Sequence, residues 1–119
     1  MNSQLCGVDP LPLLDEAERL LALQFLVAAA VTARAGLEAH ILGLCEEYAY
    51  VPTSRKGDKI AGRVQALARL RVFNQEAVKK CHRVLRAGGA AAHGRGIQAA
   101  VVSEAIEDLT QLLKEGTQR

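Results

Sequence analysis

The chain has 119 residues, and half of them are hydrophobic although only 3% are aromatic and tryptophan is absent. A core built from Leu, Val, Ile and Ala is typical of closely packed helices, and the length fits one domain, 1–119, with its core at about 13–115. The net charge of +2 conceals a basic middle, because residues 55–95 hold eleven Lys and Arg against two acids. This imbalance favours a polyanionic partner for the middle of the chain.

Cysteine usage and hydropathy indicate the compartment. Cys6, Cys45 and Cys81 are odd in number and contain no CxxC pair, which disfavours a disulfide framework or a zinc site and favours a reducing setting. The first seven residues lack the basic and apolar regions of a signal peptide. Residues 20–33 are mostly apolar but fall short of the roughly 18 uninterrupted apolar residues of a membrane span. We therefore expect a cytoplasmic protein with no membrane partner.

The first helical pattern runs from about residue 13 to residue 48. Pro10 and Pro12 are placed to start it, with acidic residues near its positive end. A straight helix of that length would be about 55 Å long at about 1.5 Å per residue, which is long for so small a domain. The sequence therefore predicts a bend or break, either near residues 20–23 or at Gly36.

The second and third helical patterns follow a linker at residues 52–57. Asp58 is predicted to cap the second helix, which ends before a short break at residues 72–73. Asn74 is predicted to cap an amphipathic third helix, and Gly88 is predicted to end it. Its apolar side is predicted to hold Ala77, Val78, Cys81, Val84 and Leu85.

The fourth helix is predicted over about 97–115, with Gly116 as its stop. Its inward face is predicted to comprise Val102, Ala105, Ile106, Leu109, Leu112 and Leu113. No segment shows the alternation of a strand. These patterns predict an all-α fold, an antiparallel bundle of four to five helices.

The third helix has a basic face. Lys79, His82, Arg83 and Arg86 fall within about a 100° arc, since each helical residue advances about 100°. Such a stripe, backed by Arg63, Arg69 and Arg71, is what a phosphate backbone binds; the alternative is a solvated face kept basic for solubility. The predicted nucleic-acid-binding residues are Lys79, His82, Arg83 and Arg95. With few aromatics, sequence-specific reading of single strands is not expected.

Arg86 and His93 are the candidate catalytic residues. No side chain between them exceeds a methyl group, so phosphate could approach closely between a permanent cation and a titratable imidazole. The alternative is an ordinary helix junction that contains both residues by chance. The three histidines lack the spacing of a metal site, and no P-loop or GxGxxG turn is present, so we expect neither a metal nor a cofactor.

Two segments carry a resemblance to a known family. Arg86 and His93, with six residues between them, resemble the Arg-x4–6-His signature of the HEPN superfamily. An uncharacterised bacterial branch has Ala-Arg-x-x-Leu-Glu in its first long helix, followed by Leu-Arg-(x)-Gly-Asn-x-Ala-Ala-His. This chain is similar to it at residues 33–38 (ARAGLE) and 85–93 (LRAGGAAAH), and the resemblance spans about residues 16–115.

The resemblance implies a helical bundle that dimerises through the motif helices, and an RNA-acting protein of the toxin or defence type. In active members the dimer brings two Arg/His pairs together as a metal-independent endoribonuclease, so Arg86 and His93 would be catalytic. Ala87 and Gly89 stand where the family pattern has polar residues, which favours the alternative of a non-catalytic dimerisation module or accessory subunit. A nucleotidyltransferase or another defence protein is the partner implied by that alternative.

Overall fold

The first two helices form a hairpin that begins at a capped proline. In the computed structural model, which describes residues 8–117 and side chains 8–115, helix α1 spans Pro10–Ala22 and helix α2 spans Leu26–Glu47. The Asp9 side chain accepts a hydrogen bond from the Leu11 amide at 3.0 Å, next to a proline that needs no amide partner. The break predicted near residues 20–23 is confirmed, and Gln24 turns the chain with a left-handed φ of 70°.

Helix α2 is the central element, and it packs against α1 and three of the helices that follow. The helix is continuous through Gly36, so the predicted break does not lie there. Gly36 is buried, and a side chain there would meet Leu109 Cδ2 at 3.2 Å and Leu13 Cβ at 3.4 Å. By length and composition α2 is the one helix among residues 8–117 that could cross a membrane. Its fully buried Ala29, Ala33, Leu37 and Ile41 give it the apolar composition of a core helix.

The predicted linker contains a short helix. Helix α3 spans Arg55–Asp58, and the Ser54 hydroxyl accepts a hydrogen bond from the Gly57 amide at 3.1 Å. Helix α4 spans Ile60–Arg69 and begins after an extended Lys59. The prediction that Asp58 caps this helix is wrong, because Asp58 closes α3 and its carboxylate pairs with the Arg63 guanidinium at 2.6 Å.

Helix α5 spans Gln75–Ala92 and begins at the predicted cap. The Asn74 side chain accepts a hydrogen bond from the Ala77 amide at 2.8 Å, which confirms the cap. The predicted end at Gly88 is wrong, because the helix continues for four more residues to His93, its C-cap. The residue that ends it is Gly94, whose φ of 73° is the left-handed conformation that commonly follows a helix C-terminus.

Helix α6 spans Ala99–Thr117, so it extends past the predicted stop at Gly116. Its six predicted inward residues are all buried. Together α2, α4, α5 and α6 enclose one core cluster. Its largest fully buried side chains are Leu37, Ile41, Leu67, Leu109, Leu112, Val64, Val84, Val102, Cys45 and Cys81.

Over residues 8–117 the chain forms six helices and no strand, which confirms the all-α prediction; α3 is a single turn, so five helices are extended. Cys45 and Cys81 are buried and free, and Cys6 lies outside the described residues.

Candidate functional site

Helix α5 presents Arg86 and His93 on one face. Seven residues at about 100° each bring the chain back to within about 20° of its starting direction, and at about 1.5 Å per residue the two positions lie about 10 Å apart along the axis. Both side chains are exposed. Between them the same face carries Gly89 and Ala90, both half-buried, with the Arg34 guanidinium close to Gly89.

The position of His93 follows from the way α5 ends. The His93 amide donates a hydrogen bond to the Gly89 carbonyl at 3.1 Å, and the Arg95 amide donates to the Ala90 carbonyl at 3.0 Å. The junction is therefore the capped last turn of α5, although the sequence predicted a loop after Gly88. These bonds hold the His93 backbone in line with the last turn of the helix that carries Arg86.

Arg86 lines a basic cleft. The cleft has a volume of about 570 Å³ and lies between the start of α4, the middle of α5 and one residue of α2. Its polar lining consists of Arg34, Lys59, His82 and Arg86, and no lining residue is acidic. Arg86 and Lys59 are exposed and make no ion pair with residues 8–117. Two unpaired cations, Lys59 and Arg86, therefore face a space lined by no acidic residue, and the third, Arg34, is paired with Glu38; this favours an anionic ligand.

Arg34 joins the two segments that resemble the HEPN branch. Its Nε donates to Glu38 Oε2 at 3.1 Å, and its Nη1 donates to the Leu85 carbonyl at 3.3 Å. The crossing is close because Gly88 has no side chain: a Cβ there would lie 2.5 Å from Arg34 Cβ and 3.2 Å from the Ala30 carbonyl oxygen. The sequence identified both segments, and the structure brings them into contact.

Arg83 has an intramolecular partner. Its Nε donates to Asp108 Oδ2 at 2.8 Å and its Nη2 donates to Oδ1 at 3.1 Å, a bidentate pair that links α5 to α6. Asp108 is buried, and its hydrogen bond raises the pKa of Arg83 above the ordinary value. The nucleic-acid-binding role predicted for Arg83 therefore competes with a structural role.

The other basic residues divide by pairing. Four of the eleven in residues 55–95 form ion pairs: Arg63, Lys79, Lys80 and Arg83. The Lys79 pair with Glu76 is long, at 3.8 Å, and its side chain remains exposed. Seven form no ion pair with the part of the chain that the structure describes: Arg55, Lys56, Lys59, Arg69, Arg71, Arg86 and Arg95. The unpaired cations, more than the predicted stripe, define the basic surface.

The two departures from the family pattern occupy different environments. Ala87 is buried, so a polar side chain at that position would enter the core. Gly89 is half-buried, and a Cβ there would meet only Arg34 Nη1, at 3.1 Å. Position 89 therefore faces the cleft side of α5, whereas position 87 does not.

A second basic cleft lies at the other end of α4. It has a volume of about 1010 Å³ and is lined by the end of α4, the turn that follows and the first residues of α5. Arg69, Arg71 and Lys79 supply its charge. Arg71 turns the chain with a left-handed φ of 63°. Phe73 also lines this cleft but is only 7% exposed, so it presents little surface for stacking.

The sequence did not predict Lys59 as a cleft residue. Lys59 is positioned by α3, which is held by a hydrogen bond from the Tyr50 hydroxyl to the Gly57 carbonyl at 3.1 Å. This link joins residues of two different segments, and no motif marks it. Within residues 8–117 no group of three or more His, Cys, Asp or Glu side chains is arranged to hold a metal ion.

Comparison with known protein families, with curated proteins and with solved structures finds no match to this chain.

Proposed function

We propose that the chain is a HEPN-like RNA-acting protein, a homodimer that cleaves RNA without a metal ion through Arg86 and His93. The observation that carries this proposal is the exposed face of α5, on which a cation and an imidazole lie two helical turns apart. Arg86 borders a cleft whose lining contains three permanent cations and no carboxylate. A phosphodiester bound between Arg86 and His93, beside this cleft, would be flanked by the charge and by the proton-transfer group that its cleavage needs.

The chemistry follows from the two side chains. RNA carries a 2′-hydroxyl that can attack the adjacent phosphorus, with departure of the 5′ oxygen. His93 would accept the proton of the 2′-hydroxyl or donate one to the leaving oxygen, and Arg86 would stabilise the charge of the pentavalent phosphorus. Lys59, which has no ion-pair partner among the described residues, would hold a neighbouring phosphate.

A second copy of the chain would complete the site. Gly88 and Ala91 are buried within the chain, so the small residues of this part of α5 that remain accessible are the half-buried Gly89 and Ala90 and the exposed Ala92. Small residues allow two helices to approach closely, and a two-fold axis through this surface would bring the two Arg86/His93 pairs together.

A non-catalytic interaction module is the alternative, and one observation favours it. Leu23, Phe25 and Val27 are each at least half exposed at the α1–α2 turn, with Phe25 at 58%. Clustered exposed apolar side chains mark contact surfaces for other proteins. Under this alternative the chain would bind a partner such as a nucleotidyltransferase or another defence protein, and Ala87 would mark the loss of cleavage.

The test is incubation of purified protein with end-labelled RNA in EDTA, with light scattering on the same samples. The variants are His93→Ala and Arg86→Gln, and the matched control is Arg55→Gln, which removes an exposed unpaired cation outside both clefts. We expect wild type and Arg55→Gln to cleave as dimers and the two site variants to lose cleavage while remaining folded. If folded wild-type protein leaves the RNA intact, the nuclease proposal is wrong and the non-catalytic interaction module is favoured.

A further inference from the structure

The two basic clefts share one pair of helices. The first cleft is lined by Ile60 and Ala61 of α4 and by His82, Leu85 and Arg86 of α5. The second is lined by Gln65, Ala68 and Arg69 of α4 and by Gln75, Val78 and Lys79 of α5. On α5 these residues recur at spacings of three and four, which places them on one face, and on α4 the residues Ala61, Gln65 and Ala68 fall within about 60° of one another. The clefts are therefore two ends of one groove between α4 and α5.

The groove is basic at both ends. Lys59, Arg86 and Arg34 lie at one end, Arg69, Arg71 and Lys79 lie at the other, and neither lining contains an acidic residue. Between the ends, Ala61, Gln65 and Ala68 supply small or neutral side chains. Gln75 to Arg86 covers about 16 Å of helix axis at about 1.5 Å per residue, and His93 lies about 10 Å further along the same helix.

We propose that the α4–α5 groove is the track for a single strand of RNA, in which Arg69, Arg71 and Lys79 bind phosphates upstream or downstream of the cleaved bond. This inference rests on the proposed function and adds the path of the substrate. A chain of phosphates needs cations spaced along its path and a surface between them that is free of bulky side chains. The groove has cations at both ends and Ala61 and Ala68 between them. Because Phe73 is buried, the strand is held by its backbone and the groove reads no base sequence.

The experiment measures binding by fluorescence anisotropy with a labelled oligouridylate of about ten nucleotides. The variant is Arg69→Gln/Arg71→Gln. The matched control is Arg55→Gln/Lys56→Gln, which removes the same charge from exposed residues of α3 that line neither cleft. Arg69→Lys/Arg71→Lys restores the charge and separates binding from a structural role. Gln and Lys are unbranched at Cβ, as Arg is, so neither adds steric strain at the left-handed φ of position 71.

We expect Arg69→Gln/Arg71→Gln to weaken binding at least tenfold, and the control to change it less than twofold. If both lost side chains contact phosphates, the slope of log K against log salt should fall by about 1.4, at about 0.7 per phosphate contact for single strands. The lysine variant should bind within threefold of wild type. Equal losses of RNA affinity in the glutamine variant and in the control would show that the groove is not the RNA-binding track.

The readout separates the two proposals. Suppose that Arg86→Gln abolishes cleavage while Arg69→Gln/Arg71→Gln binds RNA as tightly as wild type does. The RNA then does not follow the α4–α5 groove, and the proposed function stands. If the groove variant alone loses binding and wild type cleaves nothing, the track is correct and the nuclease assignment is wrong. If wild type does not bind the oligouridylate at low salt, the track is wrong whatever the cleavage assay shows.

Discussion

Replacing Gly88 with alanine tests the crossing of α2 and α5 that brings Arg34 to the Arg86 cleft. The added Cβ would lie 2.5 Å from Arg34 Cβ, 2.8 Å from Arg34 Cδ and 3.2 Å from the Ala30 carbonyl oxygen. The Cδ atom can move by rotation of the side chain, but the other two atoms move only with the α2 backbone. Ordinary contact would require the helices to separate by about 1 Å, which a close-packed core resists.

The magnitude is best taken as a difference between two variants. Gly43 lies inside α2, and a Cβ there meets nothing within 4 Å, so Gly43→Ala should gain the roughly 1 kcal/mol by which alanine exceeds glycine in a helix. Gly88→Ala gains the same propensity but adds overpacking of about 1–3 kcal/mol. We therefore expect the free energy of unfolding of Gly88→Ala to be about 1–3 kcal/mol lower than that of Gly43→Ala.

The assay is urea unfolding followed by far-ultraviolet circular dichroism, which yields the midpoint and slope for each variant. Gly89→Ala is the control at the neighbouring position, because its Cβ would meet only the terminal Nη1 of the Arg34 side chain, at 3.1 Å, and no backbone atom. It should resemble Gly43→Ala. Equal stabilisation of all three variants would refute the close crossing at Gly88.

Two further predictions concern local structure. Asn74→Ala removes the α5 cap and should lower the free energy of unfolding by about 1 kcal/mol in the same urea assay, whereas Asn74→Ser should retain most of it. Burial, with the negative charges of Glu115 and Asp108, raises the pKa of the Cys81 thiol to about 12, from 9.0. The unfolded chain then loses this proton first, so stability should fall as pH rises from about 9 to about 12. In a Cys6→Ser/Cys45→Ala background, alkylation at pH 9 should stay slow until urea unfolds the chain, and rapid alkylation of folded protein would contradict the burial.

Local signals predicted the helices well. Asn74 caps α5 because a short polar side chain can accept a hydrogen bond from the amide three residues ahead. Both partners lie within four consecutive residues, so the sequence alone can predict this bond. The inward face of α6 follows from helical periodicity and needs no knowledge of its neighbours. These features are the ones that the sequence could supply.

Tertiary contacts decided the rest. Gly88 was predicted to end α5 because glycine is a poor helix former, but its contact with Arg34 and Ala30 makes glycine necessary inside the helix. Arg83 was predicted to face a nucleic acid, yet it pairs with a carboxylate 25 residues away. Periodicity assigns a residue to a face of its own helix and does not reveal what packs against that face.

The central claim is that His93 transfers a proton during metal-free cleavage of RNA. Because His93 is exposed at the end of α5, free imidazole can enter the space left by His93→Ala. The decisive measurement is the single-turnover rate of RNA cleavage in EDTA by wild type and by His93→Ala, without and with added imidazole. We predict a loss of at least about a hundredfold, the lower range for general acid–base catalysis, and partial recovery that rises with imidazole concentration. Equal rates for wild type and variant, or intact RNA with folded wild type, would contradict the assignment.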